Sequence, residues 1–405
     1  MFKNIKKIFP FLKKNKNIYL DNAATTHKPY FVINNIYNNY IYNYSNNRSF
    51  YNLSDKINLN IYKTRNIIKK LIKAKHVEEI IFTKNTTESL NIIANCINIK
   101  YNRKFKIMIS YYEHNSNYLP WIYFCNLYKY KLVFIPLNKK KLIDFKKIKK
   151  NIKNVKIISI TYISNVFGIK NNIKKISKIC KKNNIILIVD CAQAIGHINI
   201  NLKKINIDFL AFSIHKIYGP EGVGILYGKK KLLKKMKFYN LGGGTINYII
   251  NLKKNLISYK KIPYLYESGT QNNISIISTY KAIKFIKKCK IKNICLYEKK
   301  IIKYCQYKLS KIKNIKIYFK KENKYSIISF NINNINCYDI GYFLNKYNIN
   351  VRTGYHCSNL IFKKLNFTKN GTIRISIAIY NNYKDIDIFI KKLKFILNKF
   401  FKKYI

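Results

Sequence analysis

The stretch IILIVDCAQAIGHININLKKINIDFLAFSIHKIYGPEGVG, residues 185–224, decides the fold. Two short apolar runs, Ile185 to Val189 and Phe209 to Phe212, each end in polar residues: Asp190 after the first, Ser213, His215 and Lys216 after the second. Continuous rather than alternating apolarity predicts strands buried on both faces of a parallel sheet. Just upstream, Lys156 to Thr161 repeats the pattern and leads into Ser164, Asn165 and Gly168. Ile173 to Asn183 carries helical spacing between them, so the order reads strand, helix, strand. In open α/β sheets ligands gather at the carboxyl ends of the strands, which predicts Asn165, Asp190 and the Ser213 to Lys216 segment around one pocket.

Outward from this centre the pattern changes near residue 276. Long Lys/Ile-rich amphipathic stretches give way to a strand-like run at 326–332 and a helix-like stretch around 338–347. Then come VRTGYHC, TIRISIAIY and a terminal amphipathic helix. The expected organisation is an N-terminal segment, 1–18, packing with the small domain, a large domain at 19–275, and a smaller α+β domain at 276–405. A length of 405 residues accommodates two such cores.

The composition is unusual: net charge is +63, yet only five arginines (48, 65, 103, 352, 374) stand beside 74 lysines. The excess is spread along the chain, and Ile, Asn and Tyr are inflated with it, as drift toward AT-rich codons would produce. A dedicated nucleic-acid surface would use more arginine and confine its charge to one face. The expectation is a solvated basic surface with no specific nucleic-acid partner. No apolar run approaches the roughly 20 residues that cross a bilayer, so no membrane partner is expected. Nine cysteines without a CxxC pair exclude a readable zinc or disulfide framework and favour a reducing compartment.

Against that drift, rarer residues mark where chemistry or backbone geometry resists replacement. Lys216 is singled out by Ser213 and His215 before it, YGPEGVG after it and Asp190 upstream. A pyridoxal-phosphate site needs those parts: a lysine for the aldehyde, a carboxylate for the pyridinium nitrogen, and hydroxyl, imidazole and backbone N–H groups for the phosphate.

The ordered motifs YLDNAATTHKP (19–29), NTTESLN (85–91), EHNSNYLPW (113–121), SNVFG (164–168), DCAQAIGH (190–197), FSIHKIYGPEGVGILY (212–227), GGGTI (242–246), YESGTQN (266–272), VRTGYHCS (351–358) and RISIAIYNN (374–382) cover nearly the whole chain. With them the sequence resembles the cysteine desulfurases of the aminotransferase class V group, in their SufS-type branch. The resemblance implies a fold-type-I pyridoxal-phosphate enzyme, α/β, with a mainly parallel seven-stranded sheet flanked by helices and a smaller C-terminal α+β domain. It implies that Lys216 is the Schiff-base lysine, that Asp190 pairs with the pyridinium nitrogen, that Gln193 bonds the ring hydroxyl oxygen, and that His114 stacks on the ring and carries protons. Phosphate contacts fall to Thr86 or Thr87, Ser213 and His215, with Thr270 reaching across from the partner of a homodimer. Asn165 and Arg374 match substrate-carboxylate positions, with Arg352 near the same end, and arginine grips a carboxylate bidentately where lysine cannot.

Cys357 separates this chemistry from transamination on the same scaffold. It lies among Arg352, Gly354 and His356, an electropositive setting suited to a sulfur nucleophile. The expected reaction converts L-cysteine to L-alanine, leaving a persulfide on Cys357. A sulfur acceptor of the SufE or SufU kind and a Suf scaffold would then feed iron–sulfur cluster assembly. Selenocysteine lyase or cysteine sulfinate desulfinase activity is the alternative on the same site. The expected location is the cytoplasm of a bacterium with an AT-rich reduced genome, or else an organelle stroma. Asn47, Tyr51 and Tyr355 replace histidines usual in the family, with Arg48 retained.

Overall fold

The computed structural model describes residues 2, 4–98, 104–322, 324–365 and 370–402. Its centre is a seven-stranded sheet of β1 (Ile80–Thr83), β2 (Lys106–Ile109), β3 (Lys131–Phe134), β4 (Val155–Thr161), β5 (Ile186–Asp190), β6 (Phe209–Ser213) and β7 (Gly224–Gly228). The spatial order is β1-β7-β6-β5-β4-β2-β3. All pairings are parallel except the two made by β7. The three strands expected from the sequence are present within one residue at each end. Leu187, Val189, Leu210 and Phe212 point into one core layer, Ile188, Phe209 and Ala211 into the other, which is why these strands show no polar alternation.

Helices cover the sheet: α1 (Tyr30–Tyr42), α2 (Asn52–Ile72), α3 (Thr86–Cys96), α4 (Leu119–Leu127), α5 (Ile173–Lys182) and α6 (Asn273–Cys289). In α5, Ile173, Ile176, Ile179 and Cys180 form the buried stripe, and the Asn172 side chain caps the Lys175 N–H at 3.1 Å. Helix α6 buries Ile276, Ile277, Ile283 and Ile286 in the large core and packs against α1 and α2. The boundary expected between 275 and 276 therefore falls inside a helix of the large lobe. The chain leaves that lobe at Lys290, whose φ of 58° turns it into α7 (Ile291–Ser310).

The small lobe has an antiparallel sheet of β8 (Ile315–Ile317), β9 (Ile327–Ile332), β10 (Arg352–Gly354) and β11 (Thr372–Ser376), in the order β8-β9-β11-β10. Helices α7, α8 (Cys337–Asn345), α9 (Asn359–Leu365) and α10 (Tyr383–Lys402) complete it. Its core joins Ile328, Phe330, Ile373, Ile375, Phe389 and Leu393, together with Leu20 from the N-terminal motif.

Residues near the N-terminus touch both lobes. Lys6 pairs with Asp385 at 2.6 Å in the small lobe, while Phe9 is buried against Tyr218, Phe285 and Tyr380. Ile18–Tyr19 then runs parallel to Ile349–Asn350. From there the chain crosses toward the sheet: Asp21 reaches Arg374, the Ala23 carbonyl accepts from Gln193 at 2.7 Å, and Thr26 binds the His215 carbonyl. This crossing places the motif at 19–29 between the lobes, against the carboxyl ends of the strands. Among the described residues, no helix is long and apolar enough to cross a membrane.

Candidate active site

A cavity of about 270 Å³ opens where β1, β2, β4, β5 and β6 end. Eleven of the thirteen residues singled out by sequence line it: Thr86, Thr87, His114, Asn165, Asp190, Gln193, Ser213, His215, Lys216, Arg352 and Arg374. Asp190 terminates β5, and Lys216 closes the single turn that follows β6.

The floor is acidic and buried. Asp190 is buried, its Oδ1 accepts the Ala192 N–H at 2.8 Å, and no ion pair holds it among the described residues. Burial raises its pKa, opposed by that N–H and by the Lys216 charge. Burial lowers Lys216 to about 8, with Asp190 and Cys357 pulling upward and Arg374 and Arg352 pushing down. A lysine so placed is neutral often enough near neutral pH to act as a nucleophile and a base.

One end of the cavity suits a phosphate. The Thr86 N–H and hydroxyl both meet Ser213 Oγ, at 2.8 and 2.6 Å, and Thr87 Oγ1 lies 2.7 Å from Ser116 Oγ. Thr86 and Thr87 open α3, which is capped by Asn85. A helix N-terminus favours an anion through its free N–H groups and dipole. Gly224 lets β7 pass directly behind this end, because a Cβ there would meet the Asn85 backbone at 2.5 Å. Burial holds His215 down at about 4 and His114 at about 3, each aided by the neighbouring Lys216 charge. The Ser116 N–H donates to His114 Nδ1 at 3.1 Å, so the neutral ring carries its proton on Nε2.

The donor set fits pyridoxal phosphate: Lys216 for the aldehyde, Asp190 for the ring nitrogen, Gln193 and His114 about the ring, and Thr86, Thr87, Ser213 and His215 for the phosphate. At the other end stand two guanidiniums, Arg352 and Arg374. Arg374 is fully buried, donating to Asp21 Oδ1 at 2.8 Å and to the Asn165 carbonyl at 3.0 Å, while its Nε has no partner among the described residues. Asp21 was not singled out by sequence, although it is one of only 16 acids in the chain. Asn165 lines the cavity but its amide is engaged elsewhere: Nδ2 donates to the His356 carbonyl at 2.8 Å and Oδ1 accepts from Ser358 at 3.0 Å. Its side chain in this structure fastens the cysteine loop.

Cys357 stands outside the cavity lining, at its rim. Of the nine cysteines it alone is exposed. Burial raises the thiol pKa of all eight others, to about 12 at Cys96, Cys125 and Cys180. His356 and Cys357 both adopt left-handed backbone, φ 53° and 55°, which turns the loop sharply and leaves the thiol exposed beside Arg352. The loop is tied by Asn165, by the Asn115 N–H on the Cys357 carbonyl at 2.7 Å, and by Arg352 Nη2, 3.3 Å from Sγ. Tyr355, in place of a histidine, packs edge-on against Phe362. Thr270 is exposed and outside the cavity of its own chain.

Sequence reasoning also passed over Glu113. This buried carboxyl accepts from the Thr161 N–H at 2.9 Å, from Asn117 Nδ2 at 2.5 Å and from the Ser110 hydroxyl. Burial pushes it up to about 8 against those three donors, with Asp190 adding to the rise.

Comparisons with known proteins agree with this geometry. The model of the aminotransferase class-V family matches residues 18–389. The chain is 41% identical to a cysteine desulfurase of Wigglesworthia glossinidia brevipalpis, over 96% of each chain. It is 38% identical to a probable cysteine desulfurase of Borreliella burgdorferi, over 98% of this chain and 96% of the relative. The apo structure of a cysteine desulfurase from Thermococcus onnurineus superposes with a TM-score of 0.91 at 31% identity, covering 98% of both chains. On this full-length match and the donor set of the cavity, the chain belongs to the aminotransferase class-V family, among its pyridoxal-phosphate-dependent cysteine desulfurases.

Proposed function

We propose that the chain moves the sulfur of L-cysteine onto Cys357 as a persulfide and releases L-alanine. The reading rests above all on the sole exposed thiol, 3.3 Å from a guanidinium that lines the same cavity as Lys216.

Pyridoxal phosphate, when bound, supplies the electron sink that lets an amino-acid Cα proton leave and later returns the pair. Asp190, Gln193, Thr86, Thr87, Ser213 and His215 would hold it, with His114 beside its ring. Arg374, through its unpartnered Nε–H, and Arg352 grip the substrate carboxylate and so orient the Cα–H toward Lys216. Lys216, depressed to about 8 by burial, takes that proton. The Cys357 thiolate attacks the substrate sulfur. An S–S bond forms, the C–S bond breaks, and its electron pair stays with the carbon fragment, which is protonated to alanine. His114, neutral with its proton on Nε2, is the group suited to carry protons at the cavity mouth.

The compact RTG-x-HC loop favours the SufS-type branch. Its carbonyl and guanidinium ties restrict its swing, so an acceptor protein of the SufE or SufU kind comes to the rim to collect the sulfur and pass it to a Suf scaffold. A homodimer accounts for the exposed Thr270, which would complete the phosphate site of the partner subunit. The absence of disulfides among nine free cysteines suits a bacterial cytoplasm or an organelle stroma.

Replacing Cys357 with Ala tests the assignment. Alanine release from L-cysteine should fall at least about a hundredfold, since the attacking nucleophile is gone. Undiminished release would refute it.

A further inference from the structure

The Glu113 carboxylate joins three elements. Oε1 takes the N–H of Thr161, the last residue of β4, and the hydroxyl of Ser110, just past β2; Oε2 takes Asn117 Nδ2. Asn117 cannot turn its amide, because its Oδ1 accepts from Trp121 Nε1 at 3.2 Å and Ser159 Oγ at 2.6 Å. Residues 113 and 117 are thus both fixed to the sheet and to α4. Between them lie His114 and Ser116, which line the cavity, and Asn115, whose N–H holds the Cys357 carbonyl at 2.7 Å. One clamped turn therefore carries a wall of the cofactor cavity and, through a single backbone bond, the loop bearing the nucleophile.

We propose that Glu113 is a positioning residue for sulfur extraction, setting the placement of Cys357 relative to the cofactor cavity through the His114–Asn117 turn. The inference rests on the persulfide reading given above. Glu113 does not line the cavity. Its burial and three donors mark a group kept for geometry, since an unpaired buried carboxyl would be costly. Asp190 is the ionisable neighbour whose charge acts on it.

Glu113→Gln is the informative change. If the glutamine oxygen keeps Thr161 and Ser110, its amide nitrogen must face Asn117 Nδ2, donor against donor, and the hold on Asn117 is lost. In the holoenzyme we expect the cofactor absorbance band to persist, KM for L-cysteine to stay within about twofold, and single-turnover persulfide formation on Cys357 to slow about tenfold or more, as a displacement of order 1 Å would cause. Amide hydrogen exchange over 352–358 should quicken, a change that a merely stabilising role at 113 would not concentrate there. Wild-type persulfide rate and wild-type exchange in the variant would overturn the proposal. Should Glu113→Gln fail to hold cofactor, Ser110→Ala decides: a slowing of about threefold with faster exchange of the loop supports it, and no change overturns it. A wild-type protein that forms no persulfide on Cys357 would instead sink the earlier reading.

Discussion

Arg352 and Arg374 are cross-strand partners on β10 and β11, so their guanidiniums leave the same face of the small sheet and both line the cavity. Like charges directly opposite repel, and only Arg374 has a carboxylate, Asp21, in contact. Among the described residues Arg352 has no such partner, which leaves surplus positive charge beside the cavity. Because both strands belong to the small lobe and Lys216 to the large one, a substrate held by its carboxylate as proposed would lie across the junction of the lobes.

Arg374→Lys should raise KM for L-cysteine by about 10- to 100-fold, the loss of a charge-assisted bond worth roughly 1.5–3 kcal/mol. Steady-state kinetics checks this. An unchanged KM would remove Arg374 from substrate binding.

Lys216→Met should abolish the cofactor band and turnover, yet stabilise the apoprotein. A lysine lowered from 10.5 to about 8 is neutral in the fold sooner than in the unfolded chain. The unfolded state then binds more protons between those values, so stability rises with pH across that window and the full penalty applies below about 8. Removing it should add up to about 3 kcal/mol at pH 7, readable by urea unfolding of both apoproteins, and the gain should vanish as pH rises through 10.5.

His114, held at about 3, stays neutral across the physiological range, whereas in the unfolded chain it takes a proton below 6.5. Its contribution to stability is present above 6.5 and is lost as pH falls toward 3. The stability difference between wild-type apoprotein and His114→Gln should shift in favour of the variant by about 1.4 kcal/mol per pH unit of acidification below 6.5. A difference independent of pH would contradict a neutral His114.

Much of this site was legible in the sequence, for two physical reasons. Strands buried on both faces announce themselves as short apolar runs, and their polar terminators, Asp190, Ser213 and Asn165, necessarily converge where parallel strands end. The lysine-rich drift then left the few arginines conspicuous. What stayed hidden was long-range pairing. Nothing local joins Asp21 to Arg374, or Arg65 to Glu267 in a buried bidentate pair, at 2.7 and 2.8 Å. Glu113 was overshadowed by the histidine beside it, because its partner Thr161 comes from another strand. Helix α6 was assigned to the wrong lobe because amphipathic spacing shows that a helix packs, and not against what.

Selenocysteine separates Cys357 from the cofactor residues. Cys357→Ala should retain activity on selenocysteine, whose selenium leaves without a thiol, while losing it on L-cysteine, and assays of alanine release from both substrates check the contrast. Equal survival on both would remove Cys357 from the reaction.

On the reading proposed above, a thiol from the small lobe receives sulfur from substrate anchored above Lys216 in the large one. Mass spectrometry of the holoenzyme after a single turnover with L-cysteine, without reductant or acceptor, addresses it directly. One added sulfur atom is expected on the peptide containing Cys357, with one alanine in solution for each. Alanine formed with Cys357 unmodified, or sulfur found on another cysteine, would contradict it.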